Sequence, residues 1–241
     1  MKNPAIIKYA CYMSNASMSA TANISPLLFI TFHQLYGISY TLLGLLVLVN
    51  FCTQLIVDLV FSFYSHKFDI SKTIRVMPVL TIIGLVIYSL MPALFPGFTY
   101  TFLLIGTIIF SASAGLAEVL TSPVIAALPS DNPERDMSRA HSVYAWGVTA
   151  VVLLSTLYLQ VFGRETWYIL ALMWAIIPLI AFILFMSSDI PELENPKSTV
   201  GGFRGLKNLV LILCIMCIFL GGASENTMTQ WCSGFLEAAL G

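Results

Sequence analysis

Apolar residues run along this chain in seven long blocks, and the polar residues between them come in short clusters. The blocks lie at about 7–36, 42–65, 74–92, 100–127, 140–162, 167–186 and 206–240. A helix rises about 1.5 Å per residue, so a hydrocarbon layer of about 30 Å takes roughly 20 apolar residues. Strands of a barrel would show as short alternating segments, whereas these runs are continuous. Helices are therefore predicted, because each satisfies its own backbone hydrogen bonds in lipid. The expected fold is an all-α membrane protein: a six-helix bundle over 1–186, a polar linker over 187–205 and a seventh transmembrane helix over 206–241. The linker, SSDIPELENPKSTVGGFRG, carries prolines, adjacent glycines and charges of both signs.

Composition agrees with lipid as the solvent. Hydrophobic residues make up 58% and charged residues 10%, and the mean hydropathy is +0.88. A soluble domain carries about 25% charged residues. The few charges are placed asymmetrically. If the helices alternate in direction, Lys2, Lys8, Lys67, Lys72, Arg75, Arg135, Arg139, Lys197, Arg204 and Lys207 share one side, and Arg164 lies on the other. Basic residues are retained in the cytoplasm, which predicts a cytoplasmic N-terminus in a multi-pass plasma-membrane protein. The first block is too long for a cleavable signal peptide and is interrupted by Ser14, Asn15, Ser17, Ser19, Thr21 and Asn23. The five cysteines fall in or at the spans and form no disulfide framework. With a net charge of −1 and no basic run, nothing points to nucleic acid.

A short internal repeat lies within the six. ATANISPLLF (20–29) and AEVLTSPVIA (117–126) align on Ser25-Pro26 and Ser122-Pro123, each pair expected to interrupt a long span. Helices one to three and four to six would then form inverted repeats, a pattern that points to a binding site near the bilayer midplane. Two kinked helices matching by coincidence is the alternative.

Several segments resemble the N-terminal half of a major facilitator superfamily transporter. They are SPLLFITFHQLYGIS (25–39), NFCTQLIVDL (50–59), GLAEVLTSPVIAALPS (115–130), AHSVYAWG (140–147) and GASENTMTQW (222–231). More narrowly, they are similar to the branch that includes fucose–proton symporters. The resemblance implies two six-helix bundles around a central cavity, joined by a cytoplasmic linker, and a secondary transporter that works without a cofactor. It also implies that five helices are absent after Gly241, so the chain is expected to be a truncated product, inactive without the rest of its C-terminal bundle. The family's latch, Gly-x-x-x-Asp-Arg-x-Gly after helix two, is not matched by SFYSHKFDISK (62–72). His66 stands where the acid is expected and Asp69 where a glycine is.

Carboxyls deep in a membrane are costly and mark sites. Three qualify: Asp58, Glu118 and Glu225. Glu118 lies about ten residues from the end of helix four, roughly 15 Å deep, and matches the family's helix-four acid implicated in substrate or proton binding. A carboxyl there can exchange protons and accept hydrogen bonds from sugar hydroxyls. Glu225 is mid-span in helix seven, beside Gly221 and Gly222. Asn226, Gln230 and Trp231 add donors and a flat ring suited to a sugar. In the family arrangement Glu225 would face Glu118 across the cavity. Asp58 shares a helix face with Asn50 and Gln54, at i, i+4, i+8, as a cavity wall or as interhelical glue. Asn23 binds solute or bridges helices. His141, with Tyr144 and Trp146, is a proton carrier or a solvated helix cap.

Small motifs point elsewhere but fail. Cys214 and Cys217 have CxxC spacing inside an apolar span with no further ligands. The sequons at Asn15 and Asn23 lie within a span. Ser224 lacks the glycine that follows a hydrolase nucleophile, since Asn226 stands there; an intramembrane hydrolase using Ser224 and His141 is the enzyme alternative. No phosphate-binding glycine loop is present, which argues against ATP-driven transport.

Overall fold

The computed structural model describes residues 4–191 and 208–240, and no strand occurs among them. The chain forms two units, residues 1–194 and 195–241. The first holds α1 (Pro4–Leu27), α2 (Phe29–Tyr36), α3 (Tyr40–Tyr64), α4 (Ile70–Leu94), α5 (Thr99–Ala127), α6 (Pro133–Phe162), α7 (Trp167–Trp174) and α8 (Ile176–Met186). The second holds α9 (Leu209–Leu240). The part of the expected linker from 192 to 205 lies outside the described residues.

Prolines redraw the blocks. The first block, expected as one helix over 7–36, is two. Pro26 has no N–H to donate and its ring crowds the preceding turn, so the helix breaks at Leu28 (φ −97°, ψ 3°) and restarts at Phe29. The sixth block breaks at Ala175, one turn before Pro178. The fourth behaves otherwise. α5 continues past Pro123 to Ala127, because its last turn seats Val124 and Ile125 in the core. The expectation that both Ser-Pro pairs interrupt their spans is corrected: Pro26 does and Pro123 does not.

Connections are short. Gly37 ends α2 at φ +65°, a conformation suited to glycine, and its N–H donates to the His33 carbonyl at 3.0 Å. Ser39 Oγ then caps α3 by accepting from the Leu42 N–H at 3.4 Å. Asp69, the residue that departs from the latch pattern, caps α4 by accepting from the Lys72 N–H at 3.2 Å. That amide holds the Asp69 carboxyl below the usual carboxylate range.

The first unit has two apolar clusters, one toward each end. One joins Ile7, Ile74, Leu120, Val124, Ala140 and Phe185. The other joins Phe29, Phe32, Tyr88, Leu103, Phe110 and Trp167. Hydrogen bonds show which termini share an end. Lys8 pairs with Asp136, and Arg75 donates to the Ser188 carbonyl at 3.1 Å, so the starts of α1, α4 and α6 meet the end of α8. At the opposite end Arg164 donates to Gln34. The helices therefore alternate, with Lys8, Lys67, Lys72, Arg75, Arg135 and Arg139 at one end and Arg164 at the other.

Among the described residues, six helical stretches are long and apolar enough to cross a membrane: 40–67, 70–94, 96–127, 133–162, 164–186 and 209–232. α1 is not one of them. Its Ser14, Asn15, Ser17, Ser19, Thr21, Asn23 and Ser25 are all buried in the bundle. α1 is polar because its neighbours are helices rather than lipid.

Candidate functional site

A layer of hydroxyls, amides and carboxyls separates the two apolar clusters, near the middle of each long helix. Its partners are mostly in the protein, as buried polar groups require. Asn15 of α1 donates from Nδ2 to the Ala140 carbonyl of α6 at 3.0 Å and accepts from Thr121 Oγ1 of α5 at 3.2 Å. Thr81 Oγ1 of α4 donates to Ser113 Oγ of α5 at 2.7 Å, and Ser113 Oγ donates in turn to the Met77 carbonyl at 2.5 Å. Between α1, α4, α5 and α8 the layer borders a small open cleft of about 10 Å³, lined in part by Ser17, Thr21, Thr81 and Ser113. That is room for about one water, and too small for a sugar.

The seam between α3 and α5 carries the carboxyls. Asn50, Gln54 and Asp58 repeat at i, i+4, i+8 on α3, and Ser111, Gly115 and Glu118 repeat at i, i+4, i+7 on α5. Ser111 Oγ donates to Asn50 Oδ1 at 2.5 Å, and Gln54 Nε2 donates to the same oxygen at 3.1 Å. One helical turn on, Gly115 lets the backbones close. A Cβ there would stand 3.0 Å from the Gln54 carbonyl oxygen and 3.1 Å from Asp58 Oδ1. This oxygen of Asp58 is buried and accepts no hydrogen bond among the described residues. Glu118 follows three residues after Gly115 on the same helix. Glu118 is exposed at the edge of the seam, on the surface of this unit, whereas Asp58 is half-buried.

The other predicted residues fall as follows. Asn23 is buried, and its Nδ2 donates to the Ser19 carbonyl of its own helix at 2.8 Å. His141 and Trp146 are exposed on α6. Glu225, Gln230 and Trp231 lie on α9, in the other unit. There Gly222, Asn226 and Gln230 share one stripe at i, i+4, i+8, and the Glu225 carbonyl accepts from Thr229 Oγ1 at 2.8 Å. Ser224 Oγ, the nucleophile of the enzyme alternative, donates to the Gly221 carbonyl of its own helix at 2.9 Å.

Sequence reasoning missed Asn15 as the junction of three helices, although Asn15, Ser19 and Asn23 already repeat at i, i+4, i+8. It also missed Asp136, buried at the basic end, which takes Lys8 and Ser130 Oγ (2.5 Å) on one carboxylate oxygen. Neither a lone aspartate at a helix start nor a lysine 128 residues away signals that pairing.

A search of curated proteins by sequence returns no match. The family model described as Major Facilitator Superfamily matches residues 10–241. A bundle of alternating apolar helices with a polar layer at mid-depth, matched over nearly its whole length by that model, belongs to the Major Facilitator Superfamily of membrane transporters.

Proposed function

We propose that this chain has the architecture of a secondary active transporter which, together with a complete second bundle, moves a small polar solute, such as a sugar, with protons by alternating access. The observation that supports the reading is the α3–α5 seam, where the stripe of Asn50, Gln54 and Asp58 on α3 meets Ser111 and Gly115 on α5, with Glu118 three residues further along the same helix. A carboxyl pair in such a place can exchange a proton and accept hydroxyl hydrogen bonds. In this reading Glu118, Glu225, Asp58 and His141 carry protons, and Asn23, Glu118, Glu225, Gln230 and Trp231 bind the solute. Glu118 serves both because it is open to the surface of its unit. In the same reading the protein lies in the plasma membrane with its basic end toward the cytoplasm, an orientation that the bias of lysine and arginine to that end supports.

The test is solute-driven proton uptake into proteoliposomes bearing this chain joined to a complete second bundle, read with a trapped pH dye across a panel of sugars. Glu118→Gln is expected to abolish coupled proton entry while leaving the protein folded. Coupling that persists undiminished in Glu118→Gln would refute the role of Glu118. Binding of a sugar with no proton movement in the wild type would refute symport.

A further inference from the structure

We propose that the basic end of the first unit holds an anionic phospholipid, with one acyl chain in a groove between α3, α4 and α5 and its phosphodiester at Lys72 and Lys67. The groove has a volume of about 410 Å³ and walls formed by Val57 and Phe61 of α3, Phe68 of the following turn, Val76 of α4 and Leu116 of α5. It opens outward, with Val76 51% exposed and Val60 44% exposed. Lys72, in the first turn of α4, borders the groove at the basic end of the bundle. Lys67 stands nearby in the same connection, its Nζ 5.0 Å from the centre of the Tyr64 ring.

The charge at this mouth selects the headgroup. Among the described residues Asp69 is the acid paired at this mouth, its Oδ2 3.2 Å from Lys72 Nζ in an exposed pair. Exposed pairs of this kind are weak, so a phosphodiester can compete for the lysine. The balance leaves about one positive charge, which matches the single negative charge of phosphatidylglycerol and not the neutral phosphatidylcholine. The acyl chain adds shape rather than hydrophobic drive, because the surrounding lipid is equally apolar. Preference between lipids must therefore come from the lysines. This inference needs a bundle in a membrane and stands whether or not the solute and proton reading holds.

The experiment is native mass spectrometry of the full chain in detergent, with equal amounts of phosphatidylglycerol and phosphatidylcholine added. Wild type should retain phosphatidylglycerol preferentially. Lys72→Gln should lower that retention about fivefold, from the attraction of one basic residue to an anionic lipid surface, and leave phosphatidylcholine unchanged. Val76→Trp, which fills the groove, should lower retention of both lipids. Ile56→Trp, at a second lining position that is 60% exposed, repeats that test should Val76→Trp misfold. Equal retention of the two lipids by wild type would overturn the proposal. So would an equal effect of Arg139→Gln at another basic position, which would mean diffuse surface charge. A dimer that Val76→Trp dissociates, without lipid on the monomer, would assign the groove to a second copy instead.

Discussion

Replacing Gly106 by alanine tests the packing on which the polar layer depends. Gly84 of α4 and Gly106 of α5 face each other where the two helices cross. A Cβ on residue 106 would lie 2.7 Å from Tyr88 Cβ and 2.8 Å from both Tyr88 Cα and the Gly84 carbonyl oxygen. Carbon contacts are comfortable at about 3.5–4.0 Å, so the helices must separate by about 1 Å against backbone that cannot turn aside. Alanine returns about 1 kcal/mol of helix propensity. Overpacking costs about 1–3 kcal/mol. Separation also loosens Tyr88, which is fully buried, bonded to Ser25 Oγ at 3.0 Å, and set edge-on to Phe110 and Trp167 at 5.6 and 6.2 Å. Losing part of that hydrogen bond and those ring contacts adds about 1–2 kcal/mol. The net loss is about 1–4 kcal/mol, or roughly 2–16 °C in melting temperature for a chain of this size. Thermal unfolding of the full chain in detergent, followed by near-ultraviolet circular dichroism, measures it. Gly97→Ala, where an added Cβ meets nothing within 4 Å, should change little and serves as the control. A Gly106→Ala protein as stable as wild type would mean that the helices do not approach this closely.

Ser111→Ala should destabilise by about 0.6–1.7 kcal/mol, and its effect should largely vanish in an Asn50→Ala background, since both remove one hydrogen bond; a double-mutant thermal cycle reads the coupling. Reversing Lys8 alone to Asp should lower the melting temperature by leaving two acids together at Asp136, and the double swap Lys8→Asp with Asp136→Lys should restore much of it. Asp69 has a lowered pKa in the folded state, so its contribution is complete above the ordinary carboxylate range and is lost as pH falls through the lowered value. Protection of the amides at residues 71–73, measured relative to their intrinsic exchange rates at each pH, should therefore fall at low pH in wild type, and Asp69→Asn should remove that dependence.

The spans and their alternation were legible because lipid imposes one demand on every spanning segment: apolar side chains over about 20 residues with internal backbone hydrogen bonding. The breaks were half legible. Pro26 and Pro123 look alike in sequence, yet only the first divides its helix, because Val124 and Ile125 remain anchored in the core beyond the second. The stripe of Asn50, Gln54 and Asp58 was visible from its period, but not that α5 would meet it with Ser111 and Gly115. Periodicity names a face and leaves its partner open.

From the sequence alone came the solvent of this protein and the alternation of its helices, since each depends only on the order of apolar and charged residues along one rod. Tertiary structure decided what those rods do to one another. It turned the hydroxyls and amides of α1 from apparent interruptions into junctions, brought Lys8 to Asp136, and left Glu118 on an open face beside a half-buried Asp58. Those outcomes depend on contacts between residues tens to more than a hundred positions apart, which no local pattern encodes.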